Sequence, residues 1–366
     1  MRIQQIETYS VKLRYHEPFR IAPSTSFESH NIVVKVITDS IVGISESSPS
    51  KRVTHETPQT VLEALDKIAP HLIGMNPLRI ERIVEEMDQK VAENPSAKAA
   101  IDLALHDVMG KIAETPLFKL LGGFREAVLT DLTLSIKKPE EMAEDAVRAV
   151  RQGFKALKVK VGVDPDEDFE RVREIREAIG SDVAIRIDAN QGWTVSQAIE
   201  ILKKLEQFDI EFAEQPVLAE DIKGLAEIRR KTSIPVMADE SVHSPEDALT
   251  LAREEAVDLI NIKLMKSGGI HKAKKIASVA EAAKVPCMIG CMGESNIGIT
   301  AGVQLAAAVK NIAYADLDSD ILLKDKLVSE GGAELEASRR IPPEKPGLGL
   351  TRLDEEILGR PVKIYK

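Results

Sequence analysis

The sequence predicts an α/β fold: a modified (β/α)8 barrel of the TIM type with an N-terminal α+β capping domain. Three observations support this prediction. After Gly123, eight short apolar segments alternate with amphipathic segments of helical period, which is typical of parallel βαβ units closed into a barrel. The residues before Gly123 instead have the pattern of strands followed by helices. With 366 residues, the chain also exceeds a barrel of about 250 residues by enough for a second domain.

The capping domain is predicted over residues 1–123. Alternating apolar and polar residues in IQQIETYSVKL, together with the apolar run NIVVKVIT, predict antiparallel strands, and TDSIVG marks a hairpin turn. From about residue 56 the pattern becomes helical. The strongly apolar stretch KAAIDLALHDVMGKIA predicts a helix that ends before LLGGF.

The barrel is predicted over residues 124–334, and residues 335–366 form a loop-like C-terminal segment that returns to the cap. The eight predicted strands are LTLSI, ALKVKVG, AIRIDAN, EFAEQP, PVMADE, DLINIKL, PCMIGCM and AYADLDSD. A doubly wound open sheet is the rival fold. The barrel is favoured because no G-x-G-x-x-G turn follows a first strand and because polar residues recur at strand ends along the whole chain.

Composition and charge limit the partners of the protein. A net charge of -10 argues against nucleic acid, which needs a basic surface. Neither a signal peptide nor a run of about 20 apolar residues is found, so we expect a cytoplasmic protein that does not enter membranes. Cys287 and Cys291 would lie about 13 Å apart on one strand, too far for a disulfide, and are interpreted as core residues rather than half of a metal site. The sequence leaves the oligomeric state open, including a homo-oligomer.

A charged residue stands at the end of each of five consecutive predicted strands: Lys160, Asp188, Glu214, Asp239 and Lys263. Catalytic groups of barrels lie at these carboxyl ends, and unpaired buried charges are costly, so five in succession need a common explanation. The three acids offer hard oxygen ligands that suit Mg²⁺, with Mn²⁺ as a substitute. The alternative is that each acid pairs separately with a neighbouring lysine or arginine.

The lysines predict proton transfer. Lys158 and Lys160 are two residues apart on one strand and share a face, so the like charge of one is expected to lower the pKa of the other and favour a general base. Lys263 would face them across the barrel, and two opposed lysines can move a proton from one side of a carbon to the other. Removal of the proton next to a carboxylate produces an enediolate with two negative charges, which a divalent cation must stabilise.

In order along the chain, the motifs KVK, DANQGW, EQP, ADES and NIKLMKSGG resemble those of the enolase superfamily, specifically its muconate lactonizing subgroup. The resemblance covers essentially the whole chain. It implies that the three acids bind Mg²⁺, that Lys160 and Lys263 are the acid/base catalysts, and that Lys158 supports them. The mandelate racemase-like branch is disfavoured, because its late barrel histidine has no counterpart here: after Leu132, only His243 and His271 occur, both at loops or helix starts.

Asp316 and Asp318 on the eighth strand narrow the substrate class. They share a face and suit a cationic group, as in the dipeptide epimerases of the L-Ala-D/L-Glu epimerase family, whose D-x-D motif holds the α-ammonium of the substrate. The resemblance implies an isomerase that inverts the α-carbon of the C-terminal residue of a dipeptide by two-lysine 1,1-proton transfer through an enediolate. Alternatively, the two acids cap the next loop or pair with Lys324 or Lys326, while Asp320 is interpreted as a loop residue.

Two other functions stay open at this point. One is a cycloisomerase, an o-succinylbenzoate synthase or an N-acylamino acid racemase on the same scaffold. Such enzymes act on substrates without an ammonium group and would gain nothing from the acid pair. The other is a barrel that binds without catalysis, which the five filled strand-end positions disfavour.

By the same resemblance, the cap segments 18–30 and 47–57 close over the barrel and contact the substrate side chain. Relatives that act on alanyl-glutamate have a basic residue where this chain has Ser24, with Arg20 as the only nearby cation, so a glutamate-bearing substrate is disfavoured. The other candidates are Phe19, Ile21 and Phe27 for an apolar side chain and Glu28 or Glu56 for a basic one. Trp193 either lines the site or packs in the core.

Overall fold

The cap is built on an antiparallel sheet. A computed structural model describes residues 1–22 and 24–366. The strands and helices of the cap are β1 (Ile3–Ile21), β2 (Ser24–Thr38), β3 (Val42–Ser47), α1 (Pro58–Leu72), α2 (Ile80–Lys90), α3 (Pro95–Ile112) and α4 (Leu117–Leu121). Helix α3 is buried on almost every face, its polar residues Lys98, Asp102 and His106 included, and it contacts the cap sheet and barrel helices. A Cβ at Gly43 would lie 2.2 Å from the carbonyl oxygen of Ala104, so glycine is needed for β3 to approach α3.

The barrel consists of eight parallel strands that pair in chain order. After the short strand β4 (Val128–Leu129), they are β5 (Leu132–Leu134), β6 (Ala156–Lys160), β7 (Ala184–Asp188), β8 (Ile210–Glu214), β9 (Val236–Ala238), β10 (Leu259–Lys263), β11 (Cys287–Gly290) and β12 (Ile312–Ala315). A parallel bridge between Thr130 and Ala315 joins the two ends of this sheet. All eight predicted strands are found, and the predicted fold class is confirmed.

Helices follow the barrel strands, as the sequence pattern predicts. They are α5 (Pro139–Arg151), α6 (Pro165–Ile179), α7 (Val195–Leu205), α8 (Ile222–Lys231), α9 (Pro245–Arg253), α10 (Leu264–Ser267), α11 (Ile270–Ala282), α12 (Asn296–Ala308) and α13 (Ser319–Leu322). Side chains of Asp164, Thr194 and Ser244 accept hydrogen bonds from the first turns of α6, α7 and α9 and fix where these helices begin. Within residues 1–22 and 24–366, no helix combines the length and the apolar character needed to cross a bilayer.

The chain after the barrel, residues 328–366, contacts both parts of the molecule. It begins before the predicted boundary at residue 335 and consists largely of short strands, so the prediction of a loop-like segment is wrong. It contains β13 (Val328–Gly331), β14 (Glu334–Glu336), β15 (Arg339–Ile341), β16 (Leu350–Leu353), α14 (Glu355–Leu358) and β17 (Lys363–Tyr365). Strand β15 pairs with β4 before the barrel, and β17 pairs with β1 of the cap. The last strand of the chain therefore completes the cap sheet.

Side chains inside the barrel are stacked in layers, because every second residue of a strand points inward. The layer at the carboxyl ends is charged and contains Asp188 and Glu214. Two residues earlier on the same strands stand Arg186 and Phe212. We call this lower layer the barrel floor; its apolar members are Phe212, Met237, Leu259, Met288 and Tyr314.

Candidate active site

A cavity of about 450 Å³ lies between the cap and the carboxyl ends of the barrel strands. The predicted catalytic and supporting residues line it, as do most of the predicted substrate-binding residues: Lys158, Lys160, Lys263, Asp316, Asp318, Phe19, Ile21 and Ser24. A larger groove of about 1220 Å³ lies outside the barrel beside α5 and α6. Arg20 lines that groove and not the cavity. The candidate catalytic lysines and the acid pair lie at the smaller space, which is therefore the candidate active site.

The three predicted metal ligands lie on neighbouring strands beside this cavity. Asp188 and Glu214 end β7 and β8, and Asp239 follows β9. The parallel register sets Asp188 beside Glu214 on one side and beside Lys160 on the other. All three carboxyl side chains are fully buried, so their negative charges need partners within the site.

Lys158 supplies positive charge to several carboxylates at once. Its Nζ lies 2.7 Å from Asp316 Oδ2, 2.8 Å from Glu214 Oε2 and 3.0 Å from Asp188 Oδ2. The lysine itself is buried. It therefore connects the predicted metal ligands to the acid that follows β12, consistent with a supporting role.

Lys160 and Lys263 approach the cavity from opposite sides. They end β6 and β10, the second and sixth of eight barrel strands. Lys160 Nζ donates to Asp188 Oδ2 at 2.6 Å and to Asn190 Oδ1 at 3.2 Å. Lys263 Nζ donates to Asp239 Oδ2 at 2.8 Å. Each lysine thus combines a place at the cavity with a hydrogen bond to a predicted metal ligand.

The pKa of the supporting lysine does not behave as the sequence suggests. Burial lowers the pKa of Lys158, but the charges of Asp316, Glu214 and Asp188 outweigh burial and raise this pKa well above its ordinary value. Burial also lowers the pKa of Lys263, and the charge of Asp239 more than reverses it. The expected depression of the Lys158 pKa by a neighbouring like charge is therefore wrong for this arrangement, because nearby carboxylates dominate the local field.

The carboxylate set fits a divalent cation. The buried atom Asn261 Oδ1 has no hydrogen-bond partner within the described part of the chain, and Glu214 Oε2 is met only by its ion pair with Lys158. Burial and then the charge of Asp188 raise the pKa of Glu214 to about 7, so repulsion between these acids persists although Lys158 is close. Clustered hard oxygen donors of this kind are the ligands that Mg²⁺ prefers. Asp188, Glu214 and Asp239 are the residues that would hold it.

Asp316 and Asp318 lie together just after β12. Asp316 accepts from Lys158 and, at 3.4 Å, from Thr133 Oγ1, while Asp318 Oδ2 accepts from the backbone N–H of Thr133 at 2.6 Å. Burial and then the charge of Asp316 raise the pKa of Asp318 to about 6. The alternative pairing with Lys324 or Lys326 is wrong, because Asp316 contacts Lys158 inside the barrel and Asp318 contacts β5.

The two cysteines have different surroundings. Cys287 is buried within β11, as expected of a core residue, but Cys291 lies beyond the strand and lines the cavity. Its Sγ is 3.7 Å from Asp318 Oδ1. Cys291 is partly buried and packs against the core as predicted, but it also borders the cavity because β11 ends at Gly290. Among the His, Cys, Asp and Glu side chains of residues 1–22 and 24–366, one trio has candidate metal-ligand atoms that all lie within 4.8 Å of one another: Cys291, Asp316 and Asp318.

The remaining predicted contacts divide between the cavity and other places. Glu28 lines the cavity and pairs with Lys12 at 3.2 Å. Phe27 is exposed outside it. The prediction for Glu56 is wrong, because its buried carboxylate accepts from the backbone at the start of α3. Trp193 packs in the core.

Sequence reasoning missed several polar residues of the site. Asn190 touches Lys160, Glu240 contacts Asn190, and Lys266 donates to Asp239 Oδ1 at 2.5 Å. All lie within the motifs DANQGW, ADES and NIKLMKSGG. Their position beside the predicted ligands was the available signal, but the contacts across strands are visible only in the fold.

Comparison with known proteins agrees with this geometry. Residues 3–122 match the family model "Mandelate racemase / muconate lactonizing enzyme, N-terminal domain", and residues 141–357 match "Enolase C-terminal domain-like". The hydrophobic dipeptide epimerase of Enterococcus faecalis is 44% identical over 96% of this chain and 100% of its own. The L-Ala-D/L-Glu epimerase of Clostridium acetobutylicum is 43% identical over 96% of this chain and 99% of its own.

Solved structures give the same result. The dipeptide epimerase from Enterococcus faecalis complexed with Mg and the dipeptide L-Leu-L-Tyr superposes with a TM-score of 0.94, covering 96% of this chain and 100% of that one at 44% identity. A substrate-liganded L-Ala-D/L-Glu epimerase from Bacillus subtilis has a TM-score of 0.95, with 97% and 100% coverage at 39% identity. From the matches over both domains and the relatives aligned over nearly the full length, this chain belongs to the mandelate racemase/muconate lactonizing enzyme family of the enolase superfamily.

Proposed function

We propose that the protein is a magnesium-dependent dipeptide epimerase that inverts the α-carbon of the C-terminal residue. One observation carries the proposal: a single cavity holds two lysines on opposite barrel strands, Lys160 and Lys263, together with the buried acid pair of Asp316 and Asp318. The relatives named above, which are dipeptide epimerases, support it.

In the proposed reaction, one lysine acts as a neutral amine and removes the α-proton of the C-terminal residue. The lysine on the other side, as an ammonium ion, donates a proton to the opposite face of the same carbon, and the configuration inverts. For the other epimer, Lys160 and Lys263 exchange roles. When bound, Mg²⁺ supplies positive charge where the substrate carboxylate becomes an enediolate.

The acid pair would recognise the free N-terminus of the dipeptide. Asp316 and Asp318 are both nearly fully buried and border the cavity, so an ammonium group reaching them would exchange water for charge-assisted hydrogen bonds. A substrate without this cation would leave the buried carboxylates with less compensation. The pair therefore favours dipeptides over N-acylated amino acids.

Apolar dipeptides are the first substrates to test. Tyr15, Phe19, Ile21 and Met292 contribute apolar surface to the cavity, and Ser24 carries no charge. The cap cations Lys51 and Arg52 also border it, and Arg52 donates to the carbonyl of Ala22 at 2.7 Å. The complex of the Enterococcus faecalis relative with L-Leu-L-Tyr supports the same choice. L-leucyl-L-tyrosine is accordingly the reference substrate below.

Acetylation of the substrate N-terminus tests the assignment. A charge-assisted contact is worth about 1.5–3 kcal/mol, so kcat/KM for L-leucyl-L-tyrosine should exceed that of its N-acetyl form by roughly ten- to a hundred-fold. In the double variant Asp316→Asn, Asp318→Asn this margin should collapse, while Mg²⁺ affinity measured by calorimetry is retained.

Asp320→Asn is the matched control, because Asp320 pairs with Arg340 outside the cavity and its loss should leave the margin intact. A double variant that still prefers the free amine would contradict the role of the acid pair. Faster turnover of N-acyl or N-succinyl amino acids than of any dipeptide would favour racemisation of acylated amino acids instead.

A further inference from the structure

Lys160, one of the two proposed bases, donates a hydrogen bond to a side-chain amide. Among the described residues, the other base, Lys263, does not. We propose that Asn190, oriented by Glu240, is a positioning residue for Lys160 and acts only on the proton transfers that this lysine carries out. The inference rests on the proposed function. It concerns two side chains that have no role in the mechanism described so far.

The contacts form a chain from Glu240 to the base. The Nδ2 group of Asn190 donates to Glu240 Oε1 at 3.3 Å, and Asn190 Oδ1 accepts from Lys160 Nζ at 3.2 Å. The two ends of an asparagine amide are distinguished by their partners. An ammonium group can only donate and Glu240 Oε1 accepts, so the carbonyl end of Asn190 must face Lys160. Removing the acceptor at Glu240 would release this orientation.

The backbone holds Asn190 in place. Asn190 has a φ of 42° and the following Gln191 a φ of 69°, the left-handed region that non-glycine residues seldom adopt. The Asn190 N–H donates to Asp188 Oδ1 at 2.9 Å, and that of Gln191 donates to the carbonyl of Gln215 at 2.8 Å. Two consecutive residues in this region persist only where surrounding contacts impose them. The turn therefore delivers the amide between Lys160 and Glu240.

The side chain of Glu240 lines the cavity and is bonded to another residue of the site, Asn190, rather than to an element outside it. It is 8% exposed, and its contact with Asn190 is its only hydrogen bond in the part of the chain that the structure describes. Its Oε2 has no hydrogen-bond partner there. A buried carboxyl with one hydrogen bond is costly for stability, which points to a function for the contact.

The support is one-sided. Lys263 donates to Asp239, which Lys266 also contacts, and no amide oxygen accepts from Lys263 among the described residues. The carboxylate partner of Lys160 is Asp188, a proposed metal ligand, so Asn190 is the acceptor that Lys160 does not share with the cation. Because Asn190 accepts one N–H of Lys160, it fixes how Nζ is turned. The position on Nζ that exchanges the substrate proton is then directed toward the cavity.

The test follows loss of the α-proton of tyrosine in D₂O, starting separately from L-leucyl-L-tyrosine and from L-leucyl-D-tyrosine. The variants are Asn190→Ala, Glu240→Met and Glu240→Gln, with Lys160→Ala to identify the epimer that Lys160 deprotonates. For that epimer, Asn190→Ala and Glu240→Met should slow exchange by about 10- to 100-fold, the weight of a charge-assisted hydrogen bond. KM should change little, and exchange from the other epimer should fall much less.

Glu240→Gln keeps an oxygen acceptor for Asn190 and should recover most of the exchange that Glu240→Met loses. Mg²⁺ affinity by calorimetry and the thermal midpoint show that each variant is loaded and folded. Equal slowing from both epimers, or no slowing in Asn190→Ala, would overturn the positioning role while leaving the epimerase proposal intact. If the parent protein exchanged neither epimer of any dipeptide, the proposed function itself would fail.

Discussion

The two ends of the barrel interior hold buried charge in different ways. At the carboxyl ends, lysines and carboxylates share partners: the Lys158 ammonium contacts three carboxylates at 2.7–3.0 Å. At the barrel floor, a single cation serves two acids. Arg186 Nη1 donates to Asp131 Oδ2 at 2.8 Å, and its Nε donates to Glu211 Oε2 at 2.6 Å.

The aromatic surroundings of the floor strengthen this contrast. The Arg186 guanidinium lies 5.2 Å from the ring centroids of both Phe212 and Tyr314. A planar guanidinium has donors in fixed directions and stacks on rings, whereas a lysine ammonium is a mobile point charge. The comparison leads to two expectations: charge held in a fixed geometry at the floor serves stability, and lysine charge at the carboxyl ends serves the proposed proton transfer.

Removing either base should have the largest effect on activity. General acid–base catalysis contributes about 10²- to 10⁴-fold, so Lys160→Ala and Lys263→Ala should each lower net epimerisation of L-leucyl-L-tyrosine by at least that range. Each variant should still exchange the α-proton of the single epimer whose base remains. Chiral chromatography measures epimerisation, and NMR in D₂O measures exchange. Normal epimerisation by either variant would contradict the two-base mechanism. It would also contradict the assignment of catalysis to the charged residues at the carboxyl ends of the barrel strands.

Removing the floor cation should instead affect stability. Arg186→Met leaves Asp131 and Glu211 without their shared cation, and breaking a buried ion pair costs about 3–5 kcal/mol. Urea unfolding should show this loss, while kcat per folded molecule stays close to that of the parent. Arg229→Met is the matched control, because the Arg229–Asp258 pair at 2.7 Å is about one-third exposed and should contribute less than about 1 kcal/mol. Equal losses in the two variants would remove the distinction between floor and surface.

Much of the architecture could be predicted from the sequence because its signals are local. Eight apolar segments, each with a helix after it, predict the barrel, and polar residues at their ends, such as Asp188 and Glu214, are bound to meet at one mouth once the strands are parallel. The acid pair after β12 is visible for the same reason, since two residues of spacing keeps Asp316 and Asp318 near each other.

The errors and omissions arise where the answer depends on residues far apart in the chain. Cys291 lies at the cavity because β11 ends one residue before it, a boundary that an apolar pattern does not define. The pKa of Lys158 rises because three carboxylates from other strands surround it. Glu56 is used by the start of α3, and Asn190 meets Glu240 only through the fold. Pairings of this kind are set by tertiary packing and have no pattern in the sequence.

The central claim is that the mouth of this barrel exchanges the α-proton of a dipeptide. The most direct test is a proton NMR time course of L-leucyl-L-tyrosine in D₂O with the purified protein and Mg²⁺, repeated after exhaustive treatment with EDTA. With Mg²⁺, the tyrosine α-proton signal should disappear as deuterated L-leucyl-D-tyrosine accumulates, while the leucine α-proton persists. After EDTA both changes should stop and return when Mg²⁺ is added back. Exchange that continues without metal, or no exchange with this or any member of a dipeptide library, would contradict the account.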